Sequence, residues 1–119
     1  MKTMCKVLLI GHLGDKPVVK TNQAGESWAR MRVATNRTTQ QDGQFKEETE
    51  WHTVFAFGKT ADRCGKFLTK GSGVFIEGTL RHNEWTDKDG VVQHDRDVRI
   101  QEIHFLDKAP QQEQQAAAA

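Results

Sequence analysis

The sequence predicts an all-β protein: a five-stranded Greek-key barrel carrying one helix between the third and fourth strands. Three observations support this. Residues 28–34 and 51–57 alternate with the period of two that a strand face imposes. A single stretch, residues 59–70, carries an apolar stripe at helical spacing. Between such runs the chain is punctuated by glycine, proline, asparagine and aspartate, the residues that make tight turns. With 119 residues, 36% of them hydrophobic, the chain can build one core and one domain.

Residues 6–11 form a short apolar run closed by Gly11, the pattern of a strand buried on both faces. Gly14 and Pro17 then interrupt the chain, and residues 18–20 resume it. A first strand kinked in this way can serve two sides of a small barrel. Residues 22–25 read as a turn. In residues 26–35, Ala29, Met31 and Val33 fall on one side and are expected inward, leaving Trp28, Arg30, Arg32 and Ala34 outward. Residues 36–48 are polar and lack an apolar period, so they read as a long loop or a projecting hairpin turning at Asp42 and Gly43.

The strand at residues 51–57 sets Trp51, Thr53, Phe55 and Phe57 on one side and His52, Val54 and Ala56 on the other. Considered alone, its aromatic side is the expected core side, because contiguous aromatics in water need a reason. The helix follows over residues 59–70, with Ala61, Cys64, Phe67 and Leu68 as its apolar stripe and Gly71 as the residue that ends it. Gly58, Lys59 and Thr60 imitate the end of a phosphate-binding loop, but Thr53 stands where that pattern needs glycine. Residues 73–80 are a strand with Val74, Ile76, Gly78 and Leu80 inward. Residues 81–95 are a second polar excursion that holds Trp85 and turns at Asp89 and Gly90. Residues 98–105 supply the last strand, with a register shift near Gln101. The domain is expected to span residues 1–107, and 108–119 to form a disordered Gln/Ala-rich tail.

Composition excludes several classes. A net charge of +1 announces no polyanion ligand in bulk, so any nucleic-acid role must depend on where the basic residues sit. Cys5 and Cys64 are far apart and outside any C-x-x-C, which argues against a disulfide framework or a zinc site and casts both as small apolar residues. The apolar run near the N-terminus is too short for a membrane span or a signal peptide. The five histidines, His12, His52, His82, His94 and His104, are scattered, with no catalytic or metal spacing. Asp87, Asp89, Asp95 and Asp97 cluster on one excursion, and turn chemistry is the simplest reason. No catalytic residue, metal or cofactor is expected.

Four motifs resemble one family. They are V-L-L-I-G-H-L-G-D-K-P at 7–17, E-W-H-T-V-F-A-F-G-K at 50–59, K-G-S-G-V-F-I-E-G-T-L-R at 70–81 and W-T-D-K-D-G at 85–90. In order and near spacing they are similar to bacterial single-stranded DNA-binding proteins. The resemblance covers about residues 5 to 106. It implies an OB-fold, the barrel that the element order already suggests. It also implies a homotetramer that wraps single-stranded DNA during replication, recombination or repair, in a bacterial cytoplasm at the nucleoid, with no enzymatic activity.

On this resemblance Trp51, Phe57 and Trp85 match base-stacking positions, so their side of the strand is expected outward after all. Phe55 inherits no such role and is expected to pack locally. Lys59, Lys70 and Arg81 match basic positions. Arg30, Arg32 and Lys46 join them as phosphate partners on strand parity and loop position alone. His52 matches a subunit contact. The sequence also departs from the family. Thr38, Thr39 and Gln40 stand where relatives often carry another stacking tryptophan, and Asn83 and Glu84 stand where they are often basic. The acidic C-terminal tip that recruits replication and repair proteins has no counterpart in the Gln/Ala-rich end. The competing reading is an OB-fold primosome component acting in replication restart mainly through protein contacts.

Overall fold

The computed structural model describes residues 1–106. Six strands and one helix follow in order: β1 (Val7–Leu13), β2 (Val18–Thr21), β3 (Ser27–Gln41), β4 (Gln44–Phe57), α1 (Lys59–Phe67), β5 (Gly73–Thr86) and β6 (Val92–Phe105). β1 and β2 are the two halves of the kinked first strand, so the barrel has five strands and its helix joins the third to the fourth. β1 pairs antiparallel with β5, and its last residues cross to β3 at His12↔Ala34 and Leu13↔Val33. β2 runs along the other end of β3. A short parallel contact between β4 and β6, at Val54↔Val98 and Phe55↔Arg99, completes the barrel wall. The tail expected at 108–119, and the domain end expected at 107, lie outside the described residues.

The long β3–β4 ladder sets the interior. Its register places Ala29 opposite Ala56 and Met31 opposite Val54, and all four are buried. Val74 and Ile76 from β5, Val98 and Ile103 from β6, and Ala61 and Cys64 from α1 complete the core. Each valine or isoleucine so removed from water contributes roughly 1.5–3 kcal/mol. Two glycines mark where strands pass too closely for any side chain. A Cβ on Gly11 would collide with the carbonyl oxygen of Ala34, and one on Gly78 with that of Arg99. Gly78 also sits at a bulge: Glu77 faces Glu102 while Gly78 faces Ile100, so Gln101 is the unmatched residue. The register shift expected near Gln101 is present.

Residues 36–48 are the hairpin rather than the loop. Pairing continues without interruption to Gln41↔Gln44, and Asp42 and Gly43 turn the chain with φ of 54° and 78°. Positive φ at both central residues matches the twist of the flanking strands. The 22–25 turn is also as expected, with Asn22 Oδ1 accepting the backbone N–H groups of Ala24 and Glu26.

Other expectations need correction. β1 is not buried on both faces: Leu9 points into the barrel, but Leu8 and Ile10 are 62% and 66% exposed, because no described element covers their side. Leu80 keeps the inward parity, opposite buried Val98, but is 39% exposed, since β5 leaves the barrel beyond Gly78 to build the second hairpin. The helix stops at Phe67. Leu68 turns extended at φ −102° and ψ 147°, and Gly71 lies in a later turn, donating its N–H to Leu13 O. Phe67 is largely exposed at the edge of the stripe, against Phe105. Cys64 is buried and its thiol is pushed up to about 11 by that burial, with Arg63 acting in the opposite direction. Cys5, expected to act as a small apolar residue, is exposed.

Gly78→Ala tests the close approach. Because the obstacle is backbone, the strands must separate, and a loss of about 1–3 kcal/mol is expected in urea denaturation. An unchanged midpoint would show that β5 and β6 have room to spare.

Candidate nucleic-acid interface

The barrel interior accepts Ala29, Met31, Val33, Val54 and Ala56, so the opposite parity of β3 and β4 must face out. That places Trp28 opposite Phe57, Arg30 opposite Phe55, Arg32 opposite Thr53 and Ala34 opposite Trp51 on one outer surface. Trp51 and Phe57 are 49% and 50% exposed. The aromatic side of β4 is therefore not the core side that the strand alone suggests. A narrow barrel has no volume for three large rings from one strand.

Arginines interleave with these rings. The Arg32 guanidinium lies 4.7 Å from the centre of the Trp51 ring. The Arg99 guanidinium lies 5.3 Å from the rings of both Phe55 and Phe57. Such contacts contribute about 0.5–1 kcal/mol each when exposed. Trp28 meets Phe55 at 6.1 Å, so Phe55 packs locally as expected. Trp51 also rests against Gly14, where a Cβ would strike the indole, and the Gly14 N–H donates to Arg32 O at 3.0 Å. The kink between β1 and β2 thus supplies a side-chain-free seat for the indole.

Arg99 is fixed from below. Its Nε donates to Asp97 Oδ1 at 2.9 Å, and Asn83 Nδ2 donates to Asp97 Oδ2 at 2.6 Å. Asp97 is the one buried charged residue among those described, and these two partners compensate its loss of water. Turn chemistry does not account for Asp97, although it does account for Asp87. The Asp87 carboxylate accepts from Gln93 Nε2 and from the backbone N–H groups of Val91 and Asp89, and these bonds hold it below the usual carboxylate range.

The β5–β6 hairpin carries the outer surface further. Arg81 faces Asp97, Asn83 faces Asp95 and Trp85 faces Gln93, all on the parity of Arg99. Trp85 is 49% exposed there. The reverse side of this hairpin holds His82 and His94, stacked at 5.3 Å with ring nitrogens 3.2 Å apart, and Glu84 lies 3.5 Å from His94. These two histidines are therefore not scattered, as the sequence suggests. Among the described residues no group of three His, Cys, Asp or Glu is arranged to hold a metal ion.

Of the residues singled out by sequence, Trp51, Phe57, Trp85, Arg30, Arg32 and Arg81 share the outer parity. Lys59 is exposed at the start of α1, one residue past Gly58, and Lys70 is exposed in the turn bonded to Leu13. Lys46 faces Thr39, on the opposite parity from Trp51. His52 is on the inner parity, half-buried, and shares a 2.9 Å hydrogen bond with Thr35. Arg99 and Gly14 escaped the sequence reading. Arg99 was legible in principle, since an inward Val98 sends its neighbour outward, whereas the seat under Trp51 depends on a contact between distant segments.

Arg99→Ala removes a partner from a buried carboxylate. We expect a loss of about 1–3 kcal/mol of stability by chemical denaturation, part of it recovered when Asp97→Asn is added. No recovery in the double variant would show that Arg99 acts through its ring contacts alone.

The chain matches the Single-strand binding protein family over residues 4–106. It is 41% identical over 102 residues to a single-stranded DNA-binding protein of Xanthomonas axonopodis pv. citri (strain 306), covering 85% of this chain and 57% of that protein. A protein of the same description from Xanthomonas campestris pv. campestris is 40% identical over 102 residues, covering 85% and 59%. The chain thus spans less than two thirds of the length of these relatives. Among solved structures, a Plasmodium falciparum SSB in complex with ssDNA superposes with a TM-score of 0.83 at 26% identity, covering 90% of this chain and 98% of that one. With its barrel, its outer aromatic surface and these matches, the chain belongs to the single-strand binding protein family.

Proposed function

We propose that this protein binds and protects single-stranded DNA without sequence preference, as a non-enzymatic partner of replication, recombination or repair. The carrying observation is the outer surface on which Trp51, Phe57 and Trp85 are each about half exposed beside Arg32, Arg81 and Arg99. Every base has a π-face, so rings held this way accept any sequence, while guanidinium groups between them meet the phosphates. Each stacked base contributes roughly 1–3 kcal/mol, a general figure for which single-strand binding proteins are themselves a standard example. In a duplex the bases already stack on each other, so the surface discriminates by strand state. The exposure of all three rings favours this reading over a primosome component acting through protein contacts. A bacterial cytoplasmic, nucleoid-associated location goes with it. No described helix is long and apolar enough to cross a membrane.

Titration with oligo(dT), followed by tryptophan fluorescence, should give deep quenching, with little response to duplex DNA. Trp51→Ala and Trp85→Ala should each weaken binding by about 1–3 kcal/mol. An equal response to duplex and single strand would sink the stacking model.

Self-association into a homo-oligomer, a tetramer by family resemblance, belongs to the same proposal. Leu8 and Ile10 project from β1 beside Phe75 of β5, and Phe75 stacks on His104 at 5.7 Å. Residues 7–10 of β1 pair only with β5, which leaves their other backbone edge available to a second copy. His52 is the proposed residue of a further subunit contact. Ile10→Glu should lower the mass found by sedimentation equilibrium. An unchanged mass would place the contact elsewhere.

A further inference from the structure

The tip of the β3–β4 hairpin holds an aromatic residue that neither the fold nor the surface described so far uses. Phe45 is 77% exposed, the most exposed aromatic side chain among the described residues. It sits two residues past the Asp42–Gly43 turn, faces Gln40 across the ladder, and is surrounded by Gln41, Asp42, Gln44 and Lys46. It has no ring or guanidinium contact among the described residues, unlike Trp51, Phe55 and Phe57. The turn does not need it: Asp42 and Gly43 supply the backbone geometry, and a polar residue at 45 would avoid placing a whole ring in water.

Its position in the strand is informative. Phe45 precedes Trp51 by six residues, an even number, so both project from the same side of β4, about 20 Å apart along the strand. Lys46 adjoins the ring at the tip, which gives this lysine a phosphate to meet although its parity is reversed.

We infer that Phe45 is an outlying base-stacking platform, engaged by single-stranded DNA long enough to run from the Trp51–Phe57 surface to the hairpin tip. This deepens the proposed single-stranded DNA binding and rests on it. The outlying position makes the contribution depend on ligand length. A short oligomer is satisfied by Trp51 and Phe57, and only a longer one reaches Phe45 and Lys46.

The test compares the full chain with Phe45→Ala, Phe45→Trp and Trp51→Ala, using oligo(dT) of about 5 and about 16 nucleotides, near the two ends of OB-fold site sizes. Phe45→Ala should weaken binding of the longer oligomer about 5- to 150-fold, the equivalent of one lost stacked base, and leave the shorter unchanged. Phe45→Trp should bind both as the unaltered protein does. Trp51→Ala should weaken both. Circular dichroism should be unaltered throughout, since position 45 is outside the core. The inference is overturned if Phe45→Ala binds the longer oligomer normally or loses affinity equally at both lengths. It is also overturned if Phe45→Ala changes the sedimentation mass, which would make the ring a contact between copies of the chain. Failure of the unaltered protein to bind either oligomer would overturn the single-stranded DNA reading itself, and the role of Phe45 with it.

Discussion

Closure of the barrel is the constraint on which the other features depend. β1 must reach β3 at one end while β4 and β6 meet in a short parallel contact at the other. The enclosed volume admits alanine, valine, isoleucine, leucine, one cysteine and a single methionine. At Gly11 and Gly78 it admits no side chain at all. Any strand of the wall must then place its bulky residues outside. The exposed rings of β4 are thus a geometric consequence of a small interior, and they form the surface proposed to stack on bases.

Holding those rings in fixed places requires more than exposure. A freely rotating tryptophan loses entropy when a base docks on it, whereas a ring already seated by its neighbours loses less. Trp51 is seated by the bare backbone of Gly14 and by Arg32. Phe57 is seated by Arg99, which is itself anchored through buried Asp97 to Asn83. The anchor lies where the β5–β6 hairpin leaves the barrel, so the same carboxylate ties the β4 surface to the hairpin that bears Trp85. The contacts that hold these rings for the proposed stacking are thus also contacts that hold the fold together.

The two hairpins differ in how charge is distributed around them. On the β3–β4 ribbon, Arg37 bridges Glu48 and Glu50 on the parity of His52, which satisfies those carboxylates away from the aromatic side. On the β5–β6 ribbon, Glu84, His82 and His94 occupy the reverse side, while Arg81 and Trp85 face with Arg99. A net charge of +1 therefore conceals a sorted surface. Arginines gather among the rings, and much of the acid is paired or turned away.

The sequence alone determined the element order, the turns at Asp42 and Asp89, the inward set Ala29, Met31 and Val33, and the bulge at Gln101. These follow from local rules: strand parity, positive φ at turn residues and the volume of a side chain. Through the resemblance of four motifs it also marked Trp51, Phe57 and Trp85. It could not decide which side of residues 51–57 is buried, because parity names two faces and only the enclosed volume chooses between them. It misread β1 as buried on both faces, since a run of leucine and isoleucine looks the same whether a neighbour covers it or not. The Gly14 seat, the Asp97 anchor and the meeting of His82 with His94 each join residues through pairing across strands. Only the closed tertiary structure brings such residues together.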